Sequence, residues 1–194
     1  MNKWLRAVCV GAAAAAMLTA SAFAANYTNC ADSLHEMGLF QGTQNGYDLD
    51  RTPTRAEAAV MLVRLLGKEA EAKTLTYTAP FTDLKGWEKP YVQYLYSNGL
   101  ANGTSRTTFA PDKAVTKEQA CALLARFART RGVQAAADAA PVYVAECSAW
   151  AGSDVQSAYA LGIVDSYAAC LAAPQASATR AELAHMLSDL LQRV

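Results

Sequence analysis

The sequence has little histidine, no net charge and no long apolar run in its body. Only two histidines occur, His35 and His185, and His185 lies in an apolar helical stretch where packing is more usual than metal binding. The formal net charge is zero, which argues against a nucleic-acid-binding protein or a polybasic membrane surface. No metal centre and no cofactor are therefore predicted.

The main apolar run lies at the N terminus, from Ala7 to Leu18, after Lys3 and Arg6. It is shorter than the ~20 residues that a membrane-spanning helix needs, and the small-residue sequence Ala22-Phe23-Ala24 follows it. A secretory signal peptide over residues 1–24 is the preferred interpretation, and a membrane anchor is the alternative. The mature chain is expected to be soluble and secreted, without a membrane span.

Cysteine is scarce and its spacing fits no zinc site. Four of the five cysteines lie beyond the expected leader, and export would permit disulfides among them in three complete pairings. The sequence does not choose among these pairings of Cys30, Cys121, Cys147 and Cys170. Cys121 lies in an apolar helical stripe, where we predict a small core residue.

The chain does contain an internal repeat. Thr54, Thr116 and Thr179 are spaced by 62 and 63 residues, and a glycine marker recurs in the same register at Gly38, Gly99 and Gly162. With 53% hydrophobic and 18% charged residues, the chain can bury a core that the three copies share.

A helix is predicted after each of these threonines. Apolar residues recur at positions +4, +7, +8, +11 and +12 from the threonine, which is the stripe of an amphipathic helix. Glu57, Gln119 and Glu182 lie three residues after the threonines and complete capping boxes. Gly67 and Gly132 are expected to end the first two helices with left-handed caps.

A second helix is predicted before each glycine marker, so each repeat is helix, loop, helix. Tyr47 and Phe109 occupy matching loop positions and are expected to plug the loops against the core. Linkers are predicted over residues 68–80 and 131–141. The second helices are predicted at Cys30–Met37, Tyr91–Asn98 and Asp154–Leu161.

This pattern resembles the S-layer homology family, whose repeat has Phe-x-Asp, Trp, a Gly-Ile/Leu turn, a Phe-x-Pro loop and a Thr-Arg-Ala-Glu helix. The first repeat lacks the opening motif, and the third departs at Val144, Glu146, Ser166 and Ala172. The second repeat carries Phe81, Asp83, Trp87, Gly99, Gly103, Phe109, Pro111 and "TKEQ"; the third carries Glu146, Trp150, Gly162, Pro174 and "TRAE".

The resemblance implies an all-α fold, a three-pronged spindle with a central three-helix bundle, pseudo-threefold symmetry and grooves between the prongs. The expected boundaries are a truncated first repeat at 25–67, a second repeat at 81–131 and a degenerate third repeat at 143–194. The three repeats are expected to form one domain over residues 25–194.

The resemblance also implies where a ligand binds. Family members bind cell-wall polysaccharide, commonly secondary polymers that carry a pyruvate ketal, and the basic residue of the closing helix faces the ketal carboxylate. Arg55, Lys117 and Arg180 are the matching residues. Free N–H groups of the first helical turn are expected to complete the carboxylate pocket, and Lys117 is expected to discriminate less than an arginine.

Four further candidates have competing interpretations. Asp83 and Glu146 could accept hydrogen bonds from sugar hydroxyls or cap a turn. Gly42 and Gly103 could allow a ligand to approach the backbone or serve a left-handed turn. Because Asp83 and Glu146 occupy equivalent places in different repeats, they should lie in different grooves and not form a catalytic pair.

Trp87 and Trp150 could offer ring faces to a sugar, although we favour half-buried anchors of the prongs for both. Replacing Arg55 and Arg180 together by alanine is expected to weaken wall binding with helicity intact, since both are taken to be exposed.

The leading hypothesis is a secreted, non-catalytic protein that attaches noncovalently to cell-envelope glycan, a pyruvylated secondary polymer, for anchoring or S-layer assembly. Its expected location is the cell wall or cell surface, with other envelope or S-layer proteins as further partners. The alternatives are a peptidoglycan-binding tether in an envelope with an outer membrane, and a self-assembly module without glycan binding. An enzyme is the least favoured alternative.

Overall fold

The computed structural model describes residues 20–134, 147–164 and 173–193, with side chains from Tyr27 onward. In these ranges the chain is helical and has only isolated β-bridges, so the all-α prediction is confirmed. No helix in the same ranges has the length and apolar character needed to cross a bilayer. The helices are α1 (Ala20–Glu36), α2 (Arg55–Leu65), α3 (Glu69–Thr74), α4 (Lys89–Ser97), α5 (Lys117–Thr130), α6 (Gly152–Ala160) and α7 (Arg180–Leu191).

The closing helices α2, α5 and α7 begin as predicted. Thr54 Oγ1 accepts from the Glu57 amide at 3.2 Å, and Glu57 Oε2 accepts from the Thr54 amide at 2.8 Å. Thr116 and Thr179 head equivalent capping boxes. Each box satisfies first-turn amides that would otherwise lack a partner in the helix, which typically contributes ~1 kcal/mol.

Glycines end the helices where the sequence places them. Gly67 and Gly132 follow α2 and α5 with φ of 68° and 70°, in the left-handed region that a residue with a Cβ rarely adopts. The three marker glycines after α1, α4 and α6 have φ between 67° and 72°. Both predicted caps are confirmed.

Two helix predictions are corrected. Helix α1 begins at Ala20, ten residues before the predicted start at Cys30, because the intervening stretch is rich in alanine, the best helix former. Helix α3 lies inside the predicted linker at 68–80, where Ala72 is fully buried in the core.

A ring of backbone hydrogen bonds joins the closing helices. The first two amides of each closing helix donate to carbonyls in the loop of the next repeat, and those of α7 donate to the loop of the first repeat. The ring is therefore closed, and the pseudo-threefold axis stays a prediction. The donor–acceptor pairs are Arg55 to Lys113, Ala56 to Pro111, Lys117 to Ala176, Glu118 to Pro174, Arg180 to Arg51 and Ala181 to Leu49, at 2.8–3.1 Å.

One hydrophobic core runs through all three repeats. Helix α5 contacts α2 and α7, while each earlier helix packs on the closing helix of another repeat: α1 on α7, α4 on α2 and α6 on α5. Leu62, Leu124 and Leu187, one from each closing helix, are buried in the same cluster. The prediction that the three striped helices pack together is confirmed, as is the core position of Cys121.

Candidate functional site

Two grooves open between repeats and are built from equivalent residues. The Arg55 groove has a volume of about 580 Å³, and the Arg180 groove about 280 Å³. Each groove is lined by all three repeats. One repeat supplies an arginine at the start of its closing helix, the next supplies its loop and closing helix, and the third supplies a tryptophan. The matching pairs are Arg55 and Arg180, Asn102 and Gln41, Gly103 and Gly42, Gln119 and Glu57, Arg126 and Arg64, and Trp150 and Trp87.

The guanidinium group of Arg55 is fixed by the loop of the second repeat. Its Nε donates to the Phe109 carbonyl at 2.9 Å, and its Nη2 donates to the Asn102 carbonyl at 3.2 Å. Its Cζ lies 4.6 Å from the centre of the Phe109 ring. The side chain is therefore buried, with Arg55 only 9% exposed. Burial lowers the pKa of Arg55 to about 10, so the group stays charged at neutral pH.

Arg180 repeats this geometry in the loop of the first repeat. Its Nε donates to the Tyr47 carbonyl at 2.8 Å, its Nη2 donates to the Gln41 carbonyl at 2.7 Å, and its Cζ lies 4.4 Å from the centre of the Phe40 ring. Burial lowers the pKa of Arg180, and the nearby charge of Arg51 adds to this effect. Arg180 is 5% exposed.

Within the described part of the chain, carboxylates act on the two arginines only from beyond salt-bridge distance. Asp83 acts on Arg55 in this way, and Glu57 and Asp48 act on Arg180. Among the described residues, neither forms a salt bridge, and no hydrogen bond uses the Nη1 group of either one. Buried charges in proteins are normally paired. The carbonyl bonds orient each guanidinium but do not cancel its charge, so each groove has a fixed cation with donors left for an anion.

Lys117, the third predicted cation, is in a different state. Its Nζ donates to Glu182 Oε1 on α7 at 2.6 Å, and the residue is 8% exposed. The loop residues 165–172 of the third repeat, including Ser166 and Ala172, lie outside the described residues. The charge of Lys117 is thus paired with the carboxylate of Glu182 within the protein.

The expectation of free helix N–H groups is wrong. In all three closing helices the first two amides donate to loop carbonyls and the third donates to the capping threonine. These amides are already satisfied by the ring that holds the repeats together and by the capping threonines, so they are not free to bind a carboxylate.

Asp83 caps a turn. Its Oδ1 accepts from the Phe109 amide at 2.9 Å and its Oδ2 from the Ala110 amide at 2.7 Å. Ala110 has φ of 60°, so the two bonds hold a backbone conformation that is unusual for a residue with a Cβ. The turn-capping interpretation of Asp83 thus has direct support, and its role in accepting hydrogen bonds from sugar hydroxyls stays a prediction. The equivalent Glu146 and Val144 lie outside the described residues.

Gly42 and Gly103 line the grooves but have no left-handed backbone, so that interpretation is wrong. A Cβ on Gly103 would lie 2.5 Å from the carbonyl oxygens of Ser105 and Thr108, and one on Gly42 would lie 3.1 Å from the Gly46 oxygen. The packing of the loop on itself therefore requires glycine at position 103.

Trp87 and Trp150 are not half-buried anchors. They are 57% and 52% exposed, and each lines a groove. A contact between either indole ring and a sugar stays a prediction. The preference for half-buried anchors is corrected. Helices α4 and α6 bury other residues in the core, such as Val92 and Val155.

Sequence reasoning missed the arginines at position +10 of the closing helices. Arg126 is bonded to Asp154 through Nε at 3.0 Å, and Arg64 is bonded to Glu69 through Nε at 3.2 Å. Both line their groove two turns beyond the capping box. The signal was available, because +10 is arginine in the first two repeats and Asp189 in the third.

The disulfides that export would permit are not formed among the described cysteines. No disulfide joins Cys30, Cys121 and Cys147 to one another. None of the three complete pairings is therefore formed, since each needs one bond among these three cysteines. Cys170 lies outside the described residues.

The sequence of this chain is similar to a known family and to several known proteins. The family model described as S-layer homology domain matches residues 80–121, which include the second repeat from Phe81 into α5. The chain is 30% identical over 165 residues to an endoglucanase of Bacillus sp. (strain KSM-635), covering 83% of this chain and 17% of the endoglucanase.

Two other relatives have names that concern the cell wall or anchoring. A middle cell wall protein of Brevibacillus brevis is 28% identical over 181 residues, 92% of this chain and 16% of that protein. A cellulosome-anchoring protein of Acetivibrio thermocellus is 29% identical over 143 residues, 72% of this chain and 32% of that protein. The chain thus spans at most about a third of the length of these three relatives.

Proposed function

We propose that this chain, which contains an S-layer homology domain, is a non-catalytic, secreted module that binds cell-wall polysaccharide at the cell surface through its two arginine grooves. The ligand is an acidic glycan, with the pyruvate-ketal carboxylate of a secondary cell-wall polymer seated on Arg55 and on Arg180. Binding of this kind would anchor the chain, or a protein joined to it, to the wall.

The observation that carries the proposal is the pair of buried arginines without a carboxylate partner. Each lies in a groove with an exposed tryptophan, which is the combination that a carboxylated sugar ring needs: a fixed fork of donors for the anion and an aromatic face for the ring. Two weak grooves on one chain that engage the same polymer also gain affinity by avidity.

The relatives support a module that does not itself catalyse. Proteins with the printed names endoglucanase, middle cell wall protein and cellulosome-anchoring protein all match most of this chain. Each match covers at most 32% of the relative. A segment shared by proteins with such different names is better explained by a common attachment role than by a common reaction.

Co-sedimentation with purified cell walls tests the proposal. The informative variant is Trp87→Ala combined with Trp150→Ala, since both side chains are exposed and their loss should leave the fold intact. We expect wall affinity to fall about tenfold or more, because aromatic contact residues commonly contribute ~1.4 kcal/mol or more each. Met37→Ala is the control, since Met37 is 47% exposed and lines neither groove.

The choice of wall fraction separates the alternatives. Binding only to walls that retain the accessory polymer supports the proposal, whereas equal binding to stripped peptidoglycan favours a peptidoglycan tether. Concentration-dependent self-association without binding to either fraction favours an assembly module. Turnover of a wall fragment by the purified chain would show that it is an enzyme. Undiminished wall binding by the double tryptophan variant would show that the grooves are not the binding site.

A further inference from the structure

The cation of each closing helix faces a residue of another closing helix. Lys117 reaches Glu182, the third residue of α7, while Arg55 shares its groove with Gln119, the third residue of α5. Arg180 shares its groove with Glu57, the third residue of α2. The capping-box residue of one repeat is therefore a built-in candidate to pair with the cation of another. Asp83, whose charge also acts on Arg55, bonds the Phe109 and Ala110 amides instead.

These three capping residues are in three different states. Glu182 is bonded to Lys117 and cancels its charge. Gln119 is uncharged and uses its Oε1 to accept from the Thr116 amide at 3.3 Å. Glu57 is charged, but Arg51 holds both of its carboxylate oxygens, each at 2.9 Å.

The consequence is a difference in available positive charge. Gln119 has no charge to offer Arg55, and Arg51 occupies the carboxylate that Arg180 would otherwise meet. Both arginines accordingly lack a salt bridge within the described residues, while Lys117 has one. The contrast has two causes: Gln119 is uncharged, and Glu57, although it is the same residue type as Glu182, is bonded to Arg51.

We propose that the charge of the third capping-box residue, together with the partner that this residue bonds, determines which cations of this domain bind a carboxylate ligand. Gln119 leaves Arg55 available, the Arg51–Glu57 pair leaves Arg180 available, and Glu182 fills the place of the ligand at Lys117. The chain then binds two carboxylated glycan ligands. This inference rests on the proposed function and assigns its stoichiometry.

Gln119→Glu tests the inference by placing a carboxylate beside Arg55. Glutamate already completes the capping boxes of α2 and α7, so the fold should be retained, which circular dichroism and thermal unfolding check. Gln192→Glu is the matched control, since it makes the same chemical change at an exposed position beyond α7. The probe is a synthetic disaccharide with one pyruvate ketal, titrated by calorimetry.

We expect two binding sites in the unmodified chain. The Gln119→Glu variant should have one site, at Arg180. Gln192→Glu should keep two. Glu182→Gln, the reverse change, should give a third site, because it frees Lys117 and leaves both arginine grooves unchanged. Two sites retained in Gln119→Glu, or three sites in the unmodified chain, would overturn the inference. No binding by the unmodified chain would instead refute the proposed function, so the two failures are distinguishable.

Discussion

Replacing Arg55 by alanine should destabilise the fold far more than a substitution at an exposed position. The side chain makes two hydrogen bonds from a charged donor to backbone carbonyls, each worth about 1.5 kcal/mol, and its stack on Phe109 adds ~1 kcal/mol. Water can hydrate the two carbonyls that the arginine leaves, which offsets part of this stabilisation. We therefore expect the free energy of unfolding to fall by about 3 kcal/mol. The expectation that alanine at this site leaves stability almost unchanged is thereby corrected.

Urea unfolding followed by circular dichroism measures this loss. For a chain of this size, ~3 kcal/mol corresponds to a fall in Tm of roughly 9 °C. Arg106→Ala is the matched control, because Arg106 is exposed and forms no ion pair among the described residues. The control should change the free energy of unfolding by no more than about 0.5 kcal/mol.

The refuting result is an Arg55→Ala protein as stable as the Arg106→Ala protein. It would mean that the guanidinium does not hold the loop of the second repeat and that Arg55 is a solvated surface residue. The same result would mean that the loop carbonyls do not orient the guanidinium group in the groove.

Two further predictions concern the loop of the second repeat. Gly103→Ala should cost about 2 kcal/mol, since the added methyl group would meet two carbonyl oxygens, whereas Gly86→Ala, with nothing within 4 Å of the added group, should be nearly neutral in the same urea experiment. Burial alone would raise the pKa of Asp83, but hydrogen bonds from the Phe109 and Ala110 amides bring it below its ordinary value. Its contribution is therefore present above about pH 4 and lost as the pH falls through the lowered pKa, so Asp83→Asn should flatten the acid-side loss in a stability–pH profile.

The sequence was sufficient for what depends on local chemistry. The capping boxes at Thr54, Thr116 and Thr179 and the left-handed caps at Gly67 and Gly132 follow from residue type at fixed spacing, and the structure confirms them. The common core also follows from local patterns, because three equal apolar stripes need one another to be buried.

What the sequence could not give depends on contacts between repeats. Free N–H groups at the helix starts were a sound local expectation, yet the loop of another repeat supplies carbonyls such as Lys113 O for those amides. The burial of Arg55 and the pairing of Lys117 with Glu182, 65 residues away, have no local signal. The exposure of Trp150 likewise depends on how α6 is placed on α5.

The central claim is that Arg55 and Arg180, which have no salt bridge within the described residues, bind a carboxylated glycan. Comparing one disaccharide in two forms tests it most directly. Calorimetry would measure the affinity for the pyruvate-ketal disaccharide and for its methyl ester, which has nearly the same shape but no charge. The account predicts saturable binding of the acid and an affinity for the ester at least about tenfold lower, since the charged hydrogen bond is worth ~1.4 kcal/mol or more. Equal affinity for the acid and the ester would contradict it.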